Sequence, residues 1–485
     1  MTRRDSPRCD ANNACARPPF RVALTGDSIL QRRLLARSDP ELRPVSDLLR
    51  GADLAFTNLE VLANDYRGDP ASESGGSHFG APAWVLDELA AAGFALFATA
   101  TNHCADYGIA GLLRSIDALD SRGLSYAGIG RHLEDARRPA YHSHPAGTVA
   151  LLSCCTTFAK GQEAATQTAL MQGRPGLNPL RVETVYEVTG PQLSAVRQIA
   201  EQTGIEALRQ QTLKAGFGFP PDDPAVFPLG PLHFREGEQP SIRTKAKQKD
   251  LDGILRWVRE AREFADLVLV SIHTHEQGAT KEDPPEFLPP TARALLDAGA
   301  DLVACHGPHL LRGLAIIGGK PVFYSLGNFI GQNELVPRIP ADSYERFRAD
   351  PTLTPGAVYR ERTRNDTAGF PADRRYWESV LPILTFSGGA LARMTIHPIS
   401  LGLGEARHLR GRPRLAEGAE AASILARFAE LSRPFGTELA IGDGVAAWLP
   451  PTKAAEREAA DETSRASRLS DSGPSDHAHP VDLDS

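Results

Sequence analysis

A chain of 485 residues with 41% hydrophobic and 23% charged residues has the composition of a globular protein, long enough for one large domain with insertions or for two to three smaller ones. Its net charge of −7 argues against a nucleic-acid partner held by bulk electrostatics. No stretch approaches the roughly 18 apolar residues that a membrane helix needs, and no apolar segment follows Arg3 and Arg4, so the sequence reads as having no membrane span and a cytoplasmic location.

Residues 1–18 are polar and arginine-rich without periodicity, which predicts a disordered lead. Phe20 to Leu24 is a short apolar strand, and Thr25-Gly26-Asp27-Ser28 reads as a tight turn that exposes a carboxylate. Asp27 is there either a ligand or the N-cap of a helix over Ile29 to Leu35. Leu54 to Thr57 is a strand ending in Asn58-Leu59-Glu60, and Pro82 to Ala92 is a helix stopped by Gly93. Phe94 to Thr99 is a strand that closes in a turn where Asn102, His103 and Asp106 crowd together. Ile109, Leu112, Leu113, Ile116 and Leu119 follow at helical spacing, and strands at Leu124 to Ala127 and Thr148 to Ser153 come next. Polar residues follow each strand and never precede it, which predicts parallel α/β layering with these turns on one edge of one sheet.

Residues 160–249 break that rhythm with an amphipathic helix over Pro191 to Gln211 and a basic run at Arg243 to Lys249, and read as an insertion covering the site. In it, Arg174, Asn178 and Arg181 share one turn that clamps a carboxylate or phosphate, or is a plain solvated loop. A helix from Leu251 to Phe264 leads to the strand Leu267 to Ile272, which ends in His273-Thr274-His275-Glu276. A helix at Pro290 to Ala298 leads to the strand Leu302 to Ala304 and to Cys305-His306-Gly307-Pro308-His309, where Pro308 disfavours helix at Gly307 and leaves a loop bearing two imidazoles. The strand Pro321 to Ser325 ends in the turn Leu326-Gly327-Asn328. Residues 334–450 are predicted to pack as a C-terminal extension on a domain spanning 19–333, with paired strands at Trp377 to Phe386 and Leu391 to His397, a helix at Ala419 to Leu431, and a disordered tail over 451–485. The six cysteines make no disulfide framework in a chain this long and read as small buried hydrophobes.

Collected, the strand-end residues are Asp27, Asn58, Glu60, Asn102, His103, Asp106, His273, His275, His306 and His309. Carboxylate and amide oxygens mixed with imidazole suit a divalent metal: Mn, Fe, Zn or Mg, or Ca where carboxylates and water dominate. The order of these motifs resembles the CapA family of poly-gamma-glutamate or capsule synthesis proteins. The pieces are Gly26-Asp27, Asn58 to Glu60, Asn102-His103 with Asp106 and Gly108, the His273 turn, and His306 to His309 followed by GKPVFYSLGNF. RPGLNPLR in the insertion and RGRPRLA near Arg410 look like family features as well.

The resemblance implies a calcineurin-like metallophosphatase α/β fold, with layered sheets flanked by helices and one or two ions surrounded by Asp27, Asn58, Glu60, Asn102, His103, His273, His306 and His309. Three functions are compatible with it. In a hydrolase or transferase acting on a phosphoester or an amide-linked anionic polymer, Asp27, Asn102 and His306 hold metal and His103 is the general acid, with Asp106 beside it. In a peptide epimerase, His103 with Asp27 or Asp106 and His306 or His309 with Glu60 work from opposite faces of an α-carbon. In both, Arg174, Asn178, Arg181 and Asn328 are the candidate substrate-binding residues. The third reading is a non-catalytic assembly module.

Overall fold

The computed structural model describes residues 18–34, 38–74 and 76–450. The expected disordered lead and tail therefore lie outside the described residues, apart from residue 18.

Alternation along the strands decides the layering. In the strand Phe20–Ile29, Val22 and Leu24 pack into one apolar cluster and Ala23 into another, the period of two shown by a strand buried on both faces. The strands Leu54–Leu59, Leu96–Ala98 and Ser125–Ala127 continue this sheet in parallel, and Glu378–Ser387 and Ala390–Ser400 extend its other side antiparallel. A second sheet of six strands holds Gly147–Cys155, Leu267–His273, Leu302–His306 and Lys320–Leu326 in parallel, with Ala140–His144 and Leu311–Ile317 antiparallel at its edges.

Leu24, Phe56 and Leu96 of the first sheet share one cluster with Leu151, Leu269 and Phe323 of the second, so the two sheets pack face to face. Helices Arg43–Arg50, Trp84–Ala92 and Gly108–Asp120 cover the outer face of the first sheet through Leu49, Leu89 and Leu112. Gln248–Phe264 and Leu288–Asp297 cover the second through Ile254, Val258 and Leu295. Each such fully buried side chain contributes about 1.5–3 kcal/mol. The fold is thus a mixed α/β stack in the order helix, sheet, sheet, helix.

The structure departs from three of the expectations. The polar turns do not share one sheet: those bearing Asp27, Asn58 and Asn102 belong to the first and those bearing His273 and His306 to the second. No helix begins at Ile29, because the strand that starts at Phe20 runs through the expected turn to Ile29. The expected helix over Pro191 to Gln211 is two helices, Gly190–Gln202 and Ile205–Lys214, parted at Gly204, whose φ of 78° is left-handed. Around them, Val182–Val188, Phe227–Leu229, Leu232–Glu236 and Ser241–Ala246 build a separate four-stranded sheet.

One crossing locks the two main sheets together. Lys320–Leu326 lies in the second sheet, and after Gly327 (φ 71°) the strand Asn328–Gly331 pairs with Phe20–Ile29 in the first. A Cβ on Gly26 would sit 1.8 Å from the Gly327 carbonyl oxygen, so only glycine fits where the backbones meet. No helix among the described residues is long and apolar enough to cross a membrane.

Candidate metal centre

Register places the polar residues side by side. Parallel pairing aligns Asp27 with Asn58 on one flank and Asn328 on the other, and in the second sheet aligns His273 with His306. The strand slips register between Leu24 and Asp27, so Asp27 is a fully buried strand residue. The Asn58 amide donates to Asp27 Oδ1 at 2.8 Å and the Gly307 N–H donates to Oδ2 at 3.2 Å.

The loop from His306 to His309 is shaped by its backbone. A Cβ on Gly307 (φ 113°) would lie 2.7 Å from the Thr274 carbonyl oxygen, so glycine lets this turn press on the His273 loop. His309 itself is left-handed at φ 61°, a sparsely populated conformation for a non-glycine residue. That turn brings its Nδ1 to 3.4 Å from Asp27 Oδ2, 3.7 Å from Glu60 Oε2 and 2.9 Å from Asn328 Oδ1.

Glu60 lies between two sets of donors. Its Oε2 faces Asp27 and His309, while its Oε1 is 3.6 Å from His273 Nε2. His273 Nε2 is in turn 3.1 Å from His275 Nε2 and 2.8 Å from Asn102 Oδ1. Thr156, Thr157 and Thr274 donate to Glu276 Oε2 at 2.6, 2.8 and 2.8 Å, which anchors the residue next to His275. His306 Nδ1 is 3.8 Å from Asp27 Oδ1.

His103 is held differently. Its Nδ1–H donates to Asp106 Oδ2 at 2.8 Å, the Phe79 N–H donates to the same oxygen at 2.7 Å, and its Nε2 is 3.9 Å from Glu60 Oε1. The Phe79 ring lies 4.3 Å from the imidazole.

The electrostatics demand a counter-charge. Burial is the largest influence on Glu60 and pushes its carboxyl well above the usual range, with Asp27 and Asp106 adding like-charge repulsion. Burial also raises Asp27, but the hydrogen bond and charge of His309, with His273 and His306, outweigh it and hold this carboxyl below the ordinary value. Burial lowers His273 to about 3 and His306 to about 4 against the pull of Asp27, and lowers His275 well below its ordinary value, with the neighbouring histidines adding to it. Neutral imidazoles with lone pairs beside carboxylates are metal-ligand chemistry.

Unpaired atoms make the same point. Both carboxylate oxygens of Glu60, Asn58 Oδ1 and both ring nitrogens of His306 are buried without a hydrogen-bond partner. Each such group costs about 1–3 kcal/mol, more when charged, unless something satisfies it. Two donor groups meet the spacing for an ion, Asp27 with Glu60 and His309, and Glu60 with His273 and His275. The residues therefore fit a divalent metal, and among the described residues no thiolate competes, because burial raises the thiols of Cys104, Cys154, Cys155 and Cys305.

Of the four residues expected to bind substrate, only Asn328 lies in this cluster. Asn178 accepts from Arg137 Nε at 3.2 Å and donates to the Ser153 carbonyl oxygen at 2.9 Å. Arg181 donates Nε to Asp250 Oδ2 at 2.8 Å and Nη2 to Oδ1 at 2.9 Å, and Arg174 donates to the Glu163 carbonyl oxygen at 3.0 Å. Their polar groups hold the chain together.

Residues 21–333 match the family described as "Bacterial capsule synthesis protein PGA_cap". The chain belongs to that capsule synthesis family. It is 34% identical over 438 residues to the uncharacterized protein y4sH of Sinorhizobium fredii, covering 88% of this chain and 92% of the relative. It is 25% identical over 295 residues to the capsule biosynthesis protein CapA of Bacillus anthracis (60% of this chain, 54% of the relative) and 24% identical over 238 residues to the PGA biosynthesis protein CapA of Bacillus subtilis (49% and 42%).

The family match ends at residue 333, yet the chain beyond it reaches the site. A cavity of about 170 Å³ opens beside His103 and His309, and its other walls include Phe79, Tyr359, Arg362 and Phe370. None of its lining residues comes from 160–249, so the insertion does not cover this pocket. Segment 334–377 supplies part of this wall although its residues follow no strand-end pattern; its one signal in the sequence is a concentration of arginine and aromatic residues.

Proposed function

We propose that this capsule-family chain is a metal-dependent hydrolase or transferase of a phosphoester or an amide-linked anionic polymer, built on a calcineurin-like metallophosphatase architecture. The observation that carries this reading is the buried Glu60 carboxylate, both oxygens unpaired, lying between Asp27 with His309 on one side and His273 with His275 on the other. Glu60 would hold bound ions together with Asp27, His309 and Asn328 on one side and His273, His275 and Asn102 on the other, while Asn58 donates to Asp27 and His306 faces it. Bound divalent ions would supply Lewis acidity and a water of lowered pKa.

The remaining chemistry belongs to the chain's own groups. Asp106 fixes His103 through Nδ1, so that Nε2 faces the carboxylate cluster and the pocket. A histidine oriented in this way donates a proton to a leaving group from Nε2. Phe79 and Phe370 flank the two pocket histidines and shield the proton transfer from water.

One observation favours an epimerase as the second reading: two histidines, His103 and His309, line one pocket and both are anchored through Nδ1. The test is to incubate metal-reloaded protein in D₂O with a phosphodiester and with a short γ-linked glutamyl peptide. Release of phosphate ester product or of amine supports the hydrolase. Deuterium entering an α-carbon without release turns the account to epimerisation, and neither result in the presence of bound metal leaves the assembly module.

A further inference from the structure

Among the described residues, the pocket beside His103 and His309 is lined by one arginine or lysine, Arg362, and no carboxylate pairs with it. Arg362 is the last residue of the helix Pro355–Arg362, and it lines the pocket with Tyr359, Thr363 and Phe370. Its guanidinium lies over the Phe347 ring, 4.3 Å from the centroid, which sets its direction without neutralising it. Among the described residues Arg362 makes no ion pair. The carboxylate that lines the pocket among the described residues, Glu334, is already engaged by Arg407 and Arg410. By contrast Arg174, Arg181 and Arg410 all have acidic partners.

A plain structural role is available, since a cation in the last turn complements the helix dipole. Arg360, in the same last turn, fills that role equally and does not line the pocket. Most of the remaining wall is apolar or hydroxylic, Ile29, Phe79, Phe370 and Trp377 with Ser77 and Tyr359, and Asn333 adds one amide. A cavity of about 170 Å³ with a guanidinium fork and a largely apolar wall fits a single small unit that ends in an anion. We infer that Arg362 is a specificity-determining residue that receives an anionic group of the substrate, carboxylate or phosphate, while the bond to be changed lies against His103 and His309. This deepens the metal-dependent reading given above and rests on it for the identity of the reacting end.

The test is calorimetric titration of the full chain with glutarate and, separately, with inorganic phosphate, using the wild type, R362Q, R362K and R360Q, with metal content measured in each. The inference expects R362Q to weaken at least one probe by about 10-fold or more, as losing a charged hydrogen-bond pair does. R362K should recover part of that loss, R360Q should bind as the wild type does, and metal content should not change. Loss confined to glutarate assigns a carboxylate subsite, and loss confined to phosphate assigns a phosphate subsite. Equal binding by R362Q and wild type, an equal loss in R360Q, or no binding of either probe to the wild type overturns the inference. Wild type that lacks metal yet loses probe binding on R362Q would sink the metal-dependent reading and leave the anion subsite standing.

Discussion

Two regions of this chain look alike in sequence and differ in kind. The strand-end cluster around Asp27, Glu60, His273 and His309 and the turn from Arg174 to Arg181 both gather charged and amide side chains between elements. In the turn every such group is matched: Arg181 to Asp250, Arg174 to Glu163, and Asn178 to Arg137 and Ser153. In the cluster the carboxylate of Glu60, the amide oxygen of Asn58 and the ring of His306 are buried and unmatched. Satisfied polar groups hold a scaffold, and unsatisfied buried ones mark where something else must bind.

Neutralising residues in the two regions should therefore have opposite consequences. Glu60→Gln removes the shared carboxylate and should lower metal-dependent turnover by more than about 100-fold, beyond what loss of an outer partner usually costs. The same substitution should raise the melting temperature of metal-free protein, because it removes a buried carboxyl that folding can keep only by taking up a proton or by burying a crowded charge. A metal-free Glu60→Gln protein that melts lower than the wild type would break the comparison. His103→Gln should reduce turnover by about 10²–10⁴-fold with metal content retained, which steady-state rates and elemental analysis check together.

In the turn the sign reverses. Asp250→Ala leaves Arg137, only 7% exposed, without its partner, and should destabilise the fold by about 3–5 kcal/mol in denaturant melts while metal content per folded chain stays unchanged. Acid should act on the cluster in turn. His273 and His306 titrate below their ordinary value when folded, so between pH 6.5 and about 4 the unfolded chain binds protons that these rings refuse. Stability of the metal-free protein should then fall as pH drops through that window, by on the order of 1 kcal/mol per pH unit for each ring. Arg181→Ala, at a half-exposed side chain, should cost about 1 kcal/mol or less.

Much of this is legible in the sequence alone. Short apolar runs ending in polar turns gave away the parallel strands, and the turns that follow them supplied Asp27, Asn58, Glu60, Asn102 and His273 as candidates. Sequence could not show that these turns divide between two sheets, because strand periodicity is local and says nothing of which strands pair. Nor could it distinguish the Arg174 turn from the cluster, since the partners that satisfy it, Asp250 and Arg137, lie far along the chain. The pocket wall at Tyr359 to Trp377 was hidden for the same reason, its place beside His103 being set by tertiary packing.

The most direct test of the shared-carboxylate account is elemental analysis of reloaded wild type beside Glu60→Gln. The account predicts two divalent ions per wild-type chain and fewer than one in the variant. Two ions retained by Glu60→Gln, or none held by the reloaded wild type, would contradict it.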